Sequence, residues 1–135
     1  MSARDDIAEL LSRSAYALDQ KDLSALEAGF HADASFTLVI DGVDEPSVFE
    51  GRDAIMGLMK GALDAQTDVR KHVISNVWYE SESEAEATVV SYLTLMATEN
   101  GVTQLITTGI YRDRVVLDDG GWLVAARHLT LDRPY

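Results

Sequence analysis

The chain has 135 residues, 47% of them hydrophobic and 25% charged, which suits one domain, 1–135, with a single buried core and excludes a disordered tail. Eleven basic residues against 23 acidic ones leave a formal charge of −12, which argues against nucleic-acid and anionic-membrane partners because phosphate binding needs a cationic surface. With no cysteine there can be no disulfide, thiolate nucleophile or Cys-ligated zinc, and a cytoplasmic location is expected.

The opening stretch, Met1-Ser2-Ala3-Arg4-Asp5-Asp6, has no apolar signal core, and no run approaches membrane-spanning length. Ile7, Leu10, Leu11, Ser14, Ala17 and Leu18 keep helical spacing, so a first helix is predicted from about Ala3 to Lys21. Asp22 reads as the N-cap of a short second helix carrying Leu23, Leu26 and Phe30, with Gly29 near its end. Ser35–Ile40 reads as a strand ending at the Asp41-Gly42 turn. Ile55, Leu58, Met59, Ala62 and Leu63, following Gly51, fall on one face of a third helix. Four long β-type runs follow: Lys71–Tyr79, Glu84–Thr98, Val102–Leu117 and Trp122–Leu131. Asn100-Gly101 between two of them is a strong hairpin signal. Helices first and a meander afterwards predict an α+β fold: a curved antiparallel sheet with N-terminal helices on its concave face, enclosing a pocket.

Six short motifs occur in order along nearly the whole chain. They are Tyr16-Ala17-Leu18-Asp19-Gln20-Lys21-Asp22-Leu23, Phe30-His31-Ala32-Asp33-Ala34, Phe49-Glu50-Gly51-Arg52-Asp53-Ala54-Ile55, His72-Val73-Ile74-Ser75-Asn76, Gly109-Ile110-Tyr111-Arg112-Asp113 and Gly121-Trp122-Leu123. Together they resemble the SnoaL-like branch of the nuclear transport factor 2-like superfamily. The resemblance implies a cone-shaped α+β barrel with an apolar cavity, dimeric through the outer face of its sheet. Members include polyketide cyclases, scytalone dehydratase, lindane dehydrochlorinase and small subunits of ring-hydroxylating dioxygenases.

In scytalone dehydratase and lindane dehydrochlorinase an Asp at the end of the first helix and a His on the strand after the third helix flank the cavity. Asp19 and His72 match those positions. A histidine takes a proton near neutral pH, and a carboxylate on its other nitrogen fixes the tautomer and stabilises the imidazolium. Helix geometry sets Asp19 roughly 120–130° from the centre of the apolar stripe, on a margin of small residues beside Ala8, Ser12 and Ala15. Strand alternation puts Ile74 and Asn76 on the face of His72. Tyr16, Asn76, Tyr92, Met96, Thr107 and His128 are candidates for substrate contacts, Asn76 being read first as a residue that satisfies a backbone group near a bulge, and either Arg127 or His128 should point inward. His31 is expected to be structural or exposed, and Trp78 and Tyr79 to serve packing or a dimer face.

The chain departs from its relatives at two points. The strand reading Tyr92-Leu93-Thr94-Leu95-Met96 lacks the second pocket histidine of scytalone dehydratase, and Ser35–Val39 lacks the catalytic carboxylate of ketosteroid isomerases. No HxH, HExxH, GxGxxG, Walker or GxSxG pattern is present, so no metal or nucleotide cofactor is expected. The expected activity is cofactor-independent lyase or isomerase chemistry (dehydratase, dehydrohalogenase or cyclase) on a small apolar ring compound, with His72 as base and Asp19 as its partner. The rival is a non-catalytic binding module, or an assembly subunit of a larger oxygenase.

Overall fold

A computed structural model describes residues 2–135; Met1, the first residue of the stretch read for a signal core, lies outside them. Helix α1, Ala3–Asp19, starts at Ser2, whose hydroxyl accepts the Asp5 N–H. Asp5 and Asp6 in its first turn face the positive end of the helix dipole. It ends two residues earlier than its apolar pattern suggests. The Asp22 N–H reaches the Ala17 carbonyl and the Lys21 N–H the Leu18 carbonyl, with Lys21 at φ 59. That is a Schellman ending in which lysine takes the left-handed position usually given to glycine. Asp22 then caps α2, Leu23–Ala28, through the Ala25 N–H.

Phe30 does not continue that helix. It opens β1, Phe30–Ile40, five residues before the strand legible in the sequence. The pairing register of β1 shifts between Phe30 and Ser35, and within this irregular stretch the His31 ring nitrogen Nδ1 accepts the Asp33 N–H. The irregular backbone hides the alternation that would announce a strand. A four-residue edge strand, β2 (Ser47–Glu50), pairs with β1 and was not visible in the sequence, being short and directly after Pro46. Helix α3 is Arg52–Ala65. Four long strands follow: β3 Val69–Glu82, β4 Glu86–Glu99, β5 Val102–Asp118 and β6 Gly121–Leu131. Asn100 and Gly101, at φ 53 and 78, make the tight turn joining β4 to β5.

The strands form one curved, open sheet in the order β2-β1-β6-β5-β4-β3. It is mixed rather than wholly antiparallel, because β1 and β6 run parallel while every other neighbouring pair is antiparallel. The reason is connectivity. After β2 the chain crosses through α3 to the opposite edge at β3, meanders back, and so reaches β1 travelling in the same direction. The three helices cover the concave face. Between the layers lie Ile7, Leu11, Leu26, Phe30, Phe36, Ile55, Leu93, Val115 and Val124. Burying such side chains stabilises the fold by about 1.5–3 kcal/mol each. No helix among the described residues is long and apolar enough to cross a membrane.

Candidate active site

The packing between helices and sheet leaves a cavity of about 110 Å³. Its wall is mostly aliphatic and aromatic: Leu11 and Leu18 from α1, Leu58, Met59 and Leu63 from α3, Phe30, Phe36 and Leu38 from β1, and Leu93 and Leu95 from β4. Polar groups enter from Ser14, Gln66, Arg70, His72, Tyr111, Arg127 and Tyr135. An apolar wall with a few convergent polar groups is the usual make-up of a small-molecule site.

His72 comes from β3, where it alternates with the exposed Lys71 and Val73 and so points inward with Arg70 and Ile74. Its Nδ1 lies 2.6 Å from Asp19 Oδ1, and its backbone N–H donates to both Asp19 oxygens at 3.0 and 3.1 Å. A proton shared with a carboxylate belongs on Nδ1, which leaves the Nε2 lone pair free. Asp19 is the last residue of α1, and no basic residue occupies that last turn. A carboxylate there opposes the helix dipole, and the His72 donors offset that cost. Helix α1 and strand β3 are thereby fastened together at the point where the histidine meets the cavity.

A second ion pair stands in the same wall. Asp113 on β5 is fully buried and receives Arg127 Nε at 2.8 Å and Nη2 at 3.1 Å. The guanidinium lies 4.2 Å over the ring of Tyr111. Burial opposes the Arg127 charge, but Asp113 and Tyr111 outweigh it, so the group is held above its ordinary pKa. The Tyr111 phenol is raised as well, first by burial, with Arg127 pulling the other way and Asp113 and Asp19 adding to the rise. Its hydroxyl stays protonated and has no hydrogen-bond partner among the described residues.

Arg127, not His128, is therefore the inward residue of β6. The register shift between Arg114 and Val115 bulges Ala125 out of the pairing and reverses the alternation, so Val124 and Arg127 both point inward. His128 is exposed and does not touch the cavity. The remaining candidates for substrate contact also lie off it. Tyr16 is 68% exposed, as its place near the solvent arc of α1 suggests. Asn76, at φ 54, sits in a bulge between Ser75 and Trp78, which ends its shared face with His72. Tyr92 and Met96 share a strand face, but it is the face opposite the buried Leu93, Leu95 and Ala97. Thr107 points inward and is spent on the chain's end, its hydroxyl donating to the Arg133 carbonyl at 2.9 Å. His31 and Trp78 serve no part of the cavity, and Tyr79 donates its hydroxyl to the Arg4 carbonyl.

The sequence reading missed Asp113 as a site residue, although Tyr111, Asp113 and Val115 alternate on one strand face and a lone Asp among apolar inward positions is a signal. Among the described residues no three His, Asp or Glu side chains converge as a metal site.

Comparison with solved structures returns the same architecture. The beta subunit of a provisionally assigned aromatic-ring-hydroxylating dioxygenase from Novosphingobium aromaticivorans aligns with a TM-score of 0.84 and 16% identity, over 98% of this chain and 91% of that one. ActVI-ORFA from Streptomyces coelicolor gives 0.82 and 18%, covering 97% and 98%. A protein provisionally assigned as scytalone dehydratase, also from N. aromaticivorans, gives 0.79 and 25%, covering 95% and 83%. Comparison with curated proteins finds no match. Residues 1–128 match the SnoaL-like domain family, and the chain belongs to it.

Proposed function

We propose that this protein is a cofactor-independent enzyme of lyase or isomerase type, acting on a small single-ring compound by removing a carbon-bound proton. The observation that carries the reading is the 2.6 Å contact from Asp19 to His72 Nδ1 on a histidine that lines the cavity. His72 Nε2 takes the proton, and Asp19 holds the ring and stabilises the imidazolium. Arg127 and the Tyr111 hydroxyl stand in the same wall as donors for an oxygen on which charge develops. Elimination of water or halide, or ring closure, follows from the carbanion so formed. A cavity of about 110 Å³ suits one ring; a dry engineered cavity of about 150 Å³ holds benzene in another protein. The family membership and the dehydratase-assigned relative support this class of chemistry.

The test is proton exchange. Cyclic ketones and hydroxy- or halo-substituted rings are incubated with the protein in D₂O and followed by NMR. Enzyme-dependent exchange or elimination should fall about 10²–10⁴-fold in His72→Gln. Exchange that is the same in wild type and variant removes His72 from the mechanism.

A second reading, an assembly subunit, is favoured by the outer sheet face, where Val73, Trp78, Tyr92 and Ile110 are exposed together with Leu105. The same face would serve a homodimer. Co-purification from the source cell with a different, larger subunit supports assembly; a species of two copies alone supports the enzyme as a homodimer.

A further inference from the structure

We propose that the ligand of this cavity carries a carboxylate, and that Arg70 is the residue that recognises it. The proposal rests on the cavity being the ligand site read above, but not on the proton transfer.

Three observations lead there. The first is sign. In a chain with 23 acidic and 11 basic residues, the side chains lining the cavity include Arg70, His72 and Arg127 and not one Asp or Glu. The carboxylate partners of these three groups, Asp68, Asp19 and Asp113, do not line the cavity, so its surface presents the basic side of every pair. An apolar cavity for a neutral hydrocarbon has no use for a second guanidinium, since a buried charge costs free energy unless something is gained by it.

The second is the state of the guanidinium. Arg70 Nε donates to Asp68 Oδ1 at 2.9 Å and Nη2 to Oδ2 at 3.4 Å. Asp68 is fixed in turn, its carbonyl accepting Gln66 Nε2 at 2.7 Å. These contacts use the side-on fork of the arginine. Nη1 has no partner among the described residues, so the end-on fork of Nη1 and the second Nη2 hydrogen is open. Arginine has five donors in a planar fork, and carboxylates match that spacing with two parallel hydrogen bonds. The Arg70 and Asp68 side chains are only 20% and 16% exposed, which limits salt screening.

The third is spacing. Arg70 and His72 are two apart on β3 and face the same way, so their backbones are roughly 6.6 Å apart. A single ring bearing a carboxylate bridges that span, its acid group on Arg70 and a ring carbon near His72. Arg127 is placed differently: it is stacked on Tyr111 and paired with a fully buried carboxylate. It suits charge that develops during reaction, whereas Arg70 suits charge the ligand brings.

The experiment is calorimetric binding of benzoate and its neutral isostere benzamide at neutral pH. Wild type should bind benzoate about tenfold more tightly, the gain expected of a charge-assisted fork over a neutral hydrogen bond. Arg70→Gln should erase the preference while benzamide binds as before, which also shows that the variant is folded. Arg70→Lys, a point charge without the fork, should recover only part of it. His72→Gln should keep the preference whole. Equal affinity for the two ligands, a preference that survives Arg70→Gln, or no binding of either overturns the proposal. Should Arg70→Gln fail to bind benzamide, the Lys variant decides, and an unchanged ratio there overturns it too. Loss of exchange chemistry with the preference intact sinks only the catalytic reading; the reverse sinks only the Arg70 assignment.

Discussion

Of the three ion pairs at the cavity wall, Asp113–Arg127 and Asp19–His72 differ most in kind. Asp113–Arg127 joins two neighbouring strands at directly paired positions, is bidentate, and has its carboxylate fully buried. The Arg127 guanidinium is held above its ordinary pKa and keeps its charge, so it is a fixed part of the field inside the cavity. Asp19–His72 joins a helix end to an edge strand, and one partner is an imidazole rather than a guanidinium. The proton transfer proposed above needs one of each: a group that changes charge and a set of dipoles that does not move when it does. The contrast also separates stability from chemistry, since removing half of a buried permanent pair strands a charge, while removing the partner of a histidine mainly leaves a misplaced ring.

That contrast can be broken by mutation. Asp113→Ala leaves the Arg127 guanidinium unpaired in an apolar wall and should cost about 3–5 kcal/mol in urea denaturation. Asp19→Asn keeps an oxygen for the His72 backbone N–H and should cost less, about 1–3 kcal/mol, while lowering any His72-dependent exchange by about 10²–10⁴-fold. If the two variants lose equal stability, the division of labour drawn between the pairs is wrong. The smallest expected effect sharpens the Asp19 side. Lys21 holds a left-handed conformation directly after α1, so Lys21→Gly should stabilise the fold by up to about 1 kcal/mol. Because Asp19 is the last residue of α1 and precedes that ending, the variant should leave any His72-dependent exchange unchanged. A drop in activity would mean that the ending itself sets the position of the carboxylate.

The elements that were legible in the chain are those with long, uninterrupted patterns. The apolar stripe of α1, the i, i+3, i+4 spacing of α3 and the Asn100-Gly101 hairpin all appear where local physics puts them. What misled was phase. A bulge advances a strand and exchanges its two faces, and three bulges account for three positions that alternation alone does not place. The shift at Ser75–Trp78 carries Asn76 off the His72 face, the one at Arg114–Val115 turns Arg127 inward in place of His128, and the one between Phe30 and Ser35 disguises the start of β1. Alternation puts Tyr92 and Met96 on one face, but it cannot say which face is concave. The parallel pairing of β1 with β6 was likewise beyond a reading that followed neighbours in the chain.

The sequence by itself determined the class of the fold, the order of its helices and long strands and the absence of thiol chemistry, and through its resemblance it pointed to positions 19 and 72. Those follow from composition and from patterns within reach of one helix or one strand. Only the tertiary structure decided that the Asp19 carboxylate grips both the ring and the backbone of a residue 53 positions away, that Arg127 and its buried Asp113 share the wall, and that Arg70 stands there with an open fork. Each of these depends on which face of a bulged, curving strand meets the helices. The burial free energy of the whole core settles that choice, and no local stretch of the chain carries enough of it to decide alone.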